Sequence, residues 1–145
     1  PKGSSYRPIL RDMRITAGEP GLIEGAGGPI PFLPLEVEHG DIAALGFRFG
    51  NVVYLPDVKD IPEAARPGFE GLDTWVIDAL RRTPHPSHFS LSEALEWIGR
   101  LQPRKAILTN MHVDLDYRTL EAELPEGVIP AYDGLRFSAS LDGPA

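Results

Sequence analysis

The chain has 145 residues, 42% of them hydrophobic and 24% charged, which is typical of one globular domain and not of a disordered or fibrous protein. The net charge of -7 argues against a broad basic surface for duplex nucleic acid, so a nucleotide would be recognised as a small molecule. The absence of cysteine excludes disulfides and thiolate metal sites, and no apolar run approaches the ~20 residues that span a bilayer, so we expect a cytoplasmic protein without a membrane partner.

Short strands and turns are predicted in the first part of the chain. Residues 9–17 alternate apolar and charged side chains and predict a strand with one exposed face, followed by a short extended piece at 22–24. The glycine-rich stretch 25–28 could be read as a phosphate loop. Pro29, Pro31 and Pro34 follow it, however, and exclude the helix that such a loop requires.

Three consecutive strands are predicted next, at residues 32–38, 42–49 and 52–55. Gly50-Asn51 joins the last two as a two-residue hairpin turn. A long loop, 57–71, then carries two prolines and precedes a buried strand at 74–80.

The second part of the chain alternates strands and helices. A polar loop, 81–89, leads to a helix that begins with a capping box of Ser90 and Glu93 and ends near Leu101. A buried strand at 106–109, a helix at 117–124 and two short strands at 128–131 and 135–139 follow. This order predicts a single layered domain of the α/β or α+β class.

His39 and Asp57 are the first candidate functional pair. Each follows or ends a predicted strand, where loops commonly build metal sites. A neutral imidazole and a carboxylate can share a divalent cation, and the carboxylate can bridge to a second one. The alternative is that each is an ordinary turn or cap residue.

His85 and His88 lie in the loop that opens the first helix. His88 could contact a phosphoryl oxygen or protonate a leaving oxygen, for which the ordinary pKa of histidine, near 6.5, is suitable. The alternative is a stiff surface loop around Pro84-His85-Pro86. His112 is a similar case, a polar loop residue after a buried strand with Asp114 and Asp116 close by.

Other polar and aromatic residues are interpreted as structural. Trp75 and Trp97 are expected in the core. Arg48, Arg81 and Arg82 could bind phosphate, but solvated or salt-bridged side chains are favoured. Asp78, within an apolar strand, must be paired or lie at the strand end, and we expect it to orient a neighbour such as His88 or an arginine.

The order of several motifs resembles a known family. They are Val37-Glu38-His39-Gly40, Val53-Tyr54-Leu55-Pro56-Asp57, His85-Pro86-Ser87-His88-Phe89-Ser90, Ile107-Leu108-Thr109-Asn110-Met111-His112 and Ala131-Tyr132-Asp133-Gly134. Together they are similar to the C-terminal half of a metallo-β-lactamase-fold hydrolase, and most similar to the phosphodiesterase of the carbon-phosphorus lyase pathway. The resemblance implies half of a four-layer αββα sandwich.

The resemblance also implies a site and a chemistry. His39 matches a metal ligand, Asp57 the aspartate that bridges two divalent metals (zinc or manganese), and His88 a non-ligand histidine that acts as general acid or phosphate contact. His85 would lie beside it at the substrate. The activity implied is hydrolysis of small cyclic or nucleotide-like phosphodiesters by a hydroxide that the metals hold. The oligomeric state stays open, with a homodimer as one option.

The chain departs from the family pattern in two places. The first metal motif of the family, His-x-His-x-Asp-His, is absent, so we expect this chain to be the C-terminal portion of a longer protein that supplies it. Where the family has Thr-His, this chain has Thr109-Asn110. Asn110 could ligate weakly through its amide oxygen, His112 could take the position, or the second metal could be loosely held, and we favour His112.

Two other functions stay open at this stage. The same fold could hydrolyse a thioester, lactone or amide, because fold does not fix substrate. Alternatively, Asn110 and the missing motif would fit a catalytically silent domain that binds a nucleotide or a protein.

Overall fold

A computed structural model describes residues 12–140 of the chain. Within that range seven strands form one sheet, and their order across the sheet is their order along the chain. The strands are β1 (Gly21–Ile23), β2 (Ile30–His39), β3 (Ile42–Phe49), β4 (Val52–Leu55), β5 (Thr74–Asp78), β6 (Lys105–Thr109) and β7 (Val128–Pro130). The helices are a 3-10 helix (Glu63–Phe69), α1 (Leu91–Leu101) and α2 (Tyr117–Glu123). The predicted α/β class is confirmed.

The direction of the strands changes once along the sheet. Strands β1 to β4 pair antiparallel, because only short turns connect β2 to β3 and β3 to β4. Strands β4 to β7 pair parallel, because the long connections that contain the helices return the chain to the end of the sheet where the preceding strand began. Since β2 and β4 are both antiparallel to β3, β2 runs in the same direction as β4 to β7. The carboxyl ends of β2, β4, β5 and β6 therefore lie at one edge.

One face of the sheet packs against the helices and forms the core. Helix α1 starts at the predicted capping box, in which the side chains of Ser90 and Glu93 each bond the backbone of the other. Its buried face meets the alternate residues of the central strands. The cluster includes Val53, Leu55, Trp75, Ile77, Ala106 and Leu108 from the sheet, and Ala94, Trp97, Ile98 and Leu120 from α1 and α2. No helix within residues 12–140 is long and apolar enough to cross a membrane.

The opposite face of the sheet is apolar and partly exposed. Phe47 and Tyr54 pair across β3 and β4 on this face, and Tyr54 is 46% exposed. Near the β1 edge an apolar cavity of about 720 Å³ opens onto the same face. Its lining includes Met13, Ile15, Leu22, Phe32, Phe47 and Phe49.

Two predicted strands are wrong. The predicted strand 9–17 falls partly outside the described residues, and residues 12–16 form no strand: Met13 is 74% exposed and lies over the apolar cavity. The predicted strand 135–139 is also not formed. A turn after β7 is closed by a bond from Leu135 N to Tyr132 O (3.0 Å), and among the described residues the segment 135–139 has no ladder partner. The predicted loop 57–71 contains the 3-10 helix.

Arg48 has a structural role that differs from both sequence interpretations. It is 4% exposed, and its guanidinium donates to the carbonyls of Gly50, Gly68 and Glu70 at 2.8, 2.9 and 3.0 Å. It therefore ties the β3–β4 turn to the end of the 3-10 helix, because one guanidinium donates to carbonyls from both segments. It is neither salt-bridged nor solvated.

We expect Arg48→Met to lower the free energy of unfolding by about 3 kcal/mol, because buried and partly buried carbonyls lose charge-assisted bonds while the aliphatic stem is retained. Arg82→Met is the matched control. Arg82 makes an exposed pair with Glu123 at 2.7 Å, and such pairs contribute about 0–1 kcal/mol. Urea denaturation of both variants measures the difference. Equal losses in the two variants would contradict the role of Arg48.

Candidate metal centre

Polar side chains follow the strands that end at the common edge. His39 is the last residue of β2, and Asp57 lies two residues after β4. Asp78 is the last residue of β5, and Asn110 directly follows β6. Because these strands run in the same direction, the four side chains come together from distant parts of the sequence.

The loop after β4 is tied to the end of β2. Glu38 N donates to Asp60 O at 3.0 Å, and Lys59 N donates to Glu38 O at 2.6 Å. This short bridge fixes the segment that carries Asp57 beside His39. It extends the sheet locally across the edge where the site lies.

The loop that carries His88 is anchored on both sides. Leu80 N donates to Phe89 O at 2.9 Å, and the Phe89 ring is buried in the core. On the other side, the turn between β2 and β3 approaches the loop closely at Gly40. A Cβ at Gly40 would lie 2.9 Å from Cβ of Ser87, and the residue has a φ of 66°, so only glycine suits this position. These contacts hold the loop so that the His88 ring lies against the His39 ring at the end of β2.

His39, Asp57 and His88 form the candidate centre. One potential ligand atom from each lies within 4.8 Å of the other two. The His39 and His88 rings meet edge to face with centroids 4.5 Å apart, and His88 Nδ1 is 4.0 Å from an Asp57 oxygen. Nδ1 of His39 is buried and has no hydrogen-bond partner among residues 12–140. The unpartnered imidazole nitrogen of His39 and the carboxylate of Asp57 fit a divalent cation, and the His88 imidazole lies beside them.

Asp78 is the buried hydrogen-bond partner of His88. Its side chain is fully buried, and one oxygen lies 2.8 Å from His88 Nδ1 and 3.3 Å from the donating N of Val58. Burial raises the pKa of Asp78, while the bonds from His88, Val58 and Asn110 oppose that rise. The expectation that Asp78 is paired and lies at a strand end is confirmed by this geometry.

His85 lies beside His88 on the solvent side, with ring centroids 5.1 Å apart. Its Nδ1 accepts a bond from Ser87 N at 3.3 Å. Partial burial, and then the positive charge of Arg81, lower the pKa of His85, so its neutral form is favoured at pH 7. This position borders the centre without contributing to the three-residue group.

Asn110 and His112, the two candidates for the last ligand, are placed differently. Asn110 has a φ of 58°, and its amide nitrogen approaches Asp78 Oδ1 at 3.2 Å and Pro56 O at 3.3 Å. The His112 side chain is 60% exposed, and its Nδ1 lies 2.7 Å from Asp114. The structure therefore brings Asn110 to the centre and leaves His112 outside the group of three.

The remaining arginine candidates do not point to a phosphate site. Arg82 pairs with Glu123, and Arg81 donates to the carbonyls of Thr83 and Pro84. Sequence reasoning missed two contributors to the centre, the Val58 N–H and the amide of Asn110 as a donor. A donor role for Asn110 has no sequence signal beyond its position after a buried strand.

Comparison with known proteins gives matches along most of the chain. The beta-lactamase superfamily domain matches residues 4–111. A solved structure of a diphosphatase from the PhnP family is 33% identical with a TM-score of 0.80, covering 89% of this chain and 49% of that one. The metallo-beta-lactamase fold protein YhfI from Bacillus subtilis is 16% identical with a TM-score of 0.68, covering 90% of this chain and 57% of that one, and shows the fold alone.

A curated relative carries a different activity in its name. It is the octanoyltransferase of Porphyromonas gingivalis, 32% identical over 105 residues. That match covers 70% of this chain and 21% of the relative, so the chain spans about a fifth of its length. The name describes a protein most of which lies outside the match.

Proposed function

The chain belongs to the beta-lactamase superfamily and has the metallo-β-lactamase fold, and on this basis we propose that it forms part of a metal-dependent hydrolase of small phosphodiesters. The resemblance to this fold that the sequence motifs indicate is thus confirmed. The fold does not choose among substrates, so the proposal depends on the residues at the sheet edge.

The convergence of His39, Asp57 and His88 is the observation that carries the proposal. We propose that His39 and Asp57 would hold divalent metal, zinc or manganese. When bound, such ions offset charge on phosphoryl oxygens and lower the pKa of a coordinated water. Asp57 is half exposed at the mouth of the site, where a substrate can reach it.

A complete two-metal centre needs more ligands than this group offers, because each zinc usually takes four. We propose that the others come from a segment outside this chain that carries the His-x-His-x-Asp-His motif, the chain being the C-terminal half of its domain. Two observations support this: the chain spans 49% of the diphosphatase, and its outer sheet face is apolar and exposed at Tyr54. Asn110 or His112 would complete the last position.

Phosphodiesters are proposed as the substrate class for two reasons. The structural relative at 33% identity is named a diphosphatase, and its match covers 89% of this chain. The acidic balance of the chain, -7, favours a small phosphodiester, cyclic or nucleotide-like, over duplex nucleic acid. Neither argument requires a protein partner or a membrane.

His88 is proposed as the general acid that protonates the leaving oxygen. It lies in the group with Asp57, and its Nδ1 is 2.8 Å from the buried carboxylate of Asp78, which orients the ring. We place His85 at the substrate side of His88, where its neutral ring can donate to a phosphoryl oxygen.

The test is metal analysis and hydrolysis with the intact protein. We expect zinc or manganese to bind and bis(p-nitrophenyl) phosphate to be cleaved. Metal with activity only on thioesters, lactones or amides would support the same fold with another substrate. No metal at all would support a silent binding domain.

His88→Ala is expected to lower kcat by about 10²–10⁴-fold, the usual contribution of general acid catalysis, while the protein retains its metal. A substrate whose leaving group needs no proton should lose much less. Kinetics on two esters with leaving groups of different pKa measure the effect. Unchanged turnover of both would contradict the acid role.

A further inference from the structure

We propose that Asp78 and Asn110 are positioning residues that keep His88 in one tautomer, with the proton on Nδ1 and with Nε2 as the unprotonated nitrogen. This inference deepens the proposed function, since it specifies which nitrogen of His88 can serve there. It rests on contacts among buried and strand-end residues that exist without metal or substrate.

Asp78 is a buried acceptor surrounded by donors. Its Oδ2 lies 2.8 Å from His88 Nδ1 and 3.3 Å from Val58 N, and its Oδ1 lies 3.2 Å from the amide nitrogen of Asn110. Three convergent donors are the usual environment of an ionised carboxylate. A carboxylate accepts only, so a bond at 2.8 Å requires that His88 Nδ1 carry a hydrogen.

The orientation of the Asn110 amide follows from its neighbours. Both positions beside the amide nitrogen, Pro56 O at 3.3 Å and Asp78 Oδ1 at 3.2 Å, are acceptors. The reverse orientation would place the amide oxygen against two oxygens, so the nitrogen must face them. Its two hydrogens are then both used.

The use of both Asn110 hydrogens decides the state of His88. The Asn110 nitrogen also lies 3.3 Å from His88 Nδ1, but it has no hydrogen left to donate there. His88 Nδ1 therefore receives no hydrogen bond from Asn110, and its own hydrogen points to Asp78. The remaining nitrogen, Nε2, is the one that can bind a ligand or exchange a proton.

Asn110 also fixes the position of Asp78 itself. Its left-handed φ of 58° is one that asparagine tolerates better than most residues other than glycine. From there its amide connects the residue after β4, through Pro56 O, with the last residue of β5. The acceptor for His88 is thus tied to the ends of the neighbouring strands.

The experiment is nitrogen-15 NMR of the histidine side chains in the intact, metal-free protein at a pH of about 8, where ordinary imidazoles are neutral. We expect the Nδ1–H tautomer of His88 to exceed the Nε2–H tautomer by about tenfold or more, as one charge-assisted bond allows. A dominant Nε2–H tautomer in the unaltered protein would overturn the proposal without any variant.

Asp78→Asn is the decisive variant. Its amide can turn its NH2 group to His88 Nδ1, so we expect the ratio of tautomers to reverse in favour of Nε2–H. Asp114→Asn is the matched control, because Asp114 contacts His112 Nδ1 at 2.7 Å on the surface, and it should leave His88 unchanged. A folded Asp78→Asn protein with an unchanged His88 ratio would overturn the positioning role. Loss of metal binding or hydrolysis leaves this result unaffected, so the two proposals fail separately.

Discussion

Replacement of His39 with alanine is expected to remove divalent metal and phosphodiester hydrolysis together from the intact protein. Its Nδ1 is buried without a partner among the described residues, and its ring contacts His88 at a centroid distance of 4.5 Å. Changes to residues that merely support a ligand cost about 10–100-fold in metal affinity, so the loss of a ligand should exceed about 100-fold. Metal content by mass spectrometry and kcat/KM measure the two effects.

Two further variants make the result specific. Glu126→Gln changes an exposed acid in the turn before β7, at the opposite edge of the sheet, and should retain metal and activity. His112→Ala tests the ligand that the sequence favours. The exposure of His112 leads us to expect full metal content, whereas a loss would return His112 to the ligand set. Retention of metal by His39→Ala would contradict the proposed centre.

Trp75→Ala is expected to lower the free energy of unfolding by about 3–5 kcal/mol, a large part of the 5–15 kcal/mol typical of a domain. Trp75 is fully buried on the central strand β5, between Val53 and Ala106 in register. Its ring contacts Phe69 of the 3-10 helix at 5.8 Å, so the substitution leaves a cavity between the sheet and its cover. Urea denaturation followed by far-ultraviolet circular dichroism measures the loss.

Trp75→Phe separates packing from polarity. The indole N–H of Trp75 is buried without a partner in the described part of the chain, so phenylalanine removes an unsatisfied donor and keeps most of the ring. We expect a loss below about 2 kcal/mol. Equal losses for alanine and phenylalanine would show that the cavity is not the cause.

Local rules predict most of the fold. The Gly50-Asn51 turn, the Ser90 capping box and the apolar stripe of α1 each depend on residues close in sequence, and each is confirmed. The segments 9–17 and 135–139 have strand-like patterns, but a strand also requires a neighbour with free backbone groups. That requirement is a property of the whole sheet and cannot be read from either segment.

The features of the site also divide into those that the sequence predicts and those that depend on the assembled fold. His39 and Asp57 could be proposed from their places at strand ends, and His88 from the loop that opens α1, and the structure brings the three together. The carbonyls to which the Arg48 guanidinium donates and the orientation of the Asn110 amide could not be predicted from the sequence. Both depend on distances between loops that are 20 to 54 residues apart along the chain.

The strictly sequential strand order has a consequence for how the sheet is assembled. Each strand from β2 to β7 pairs with the strand that immediately precedes it in the chain. During synthesis, each of these strands would therefore emerge after the strand with which it pairs. No strand would have to insert between two strands that are already paired. The sheet can therefore be extended strand by strand in the order of synthesis.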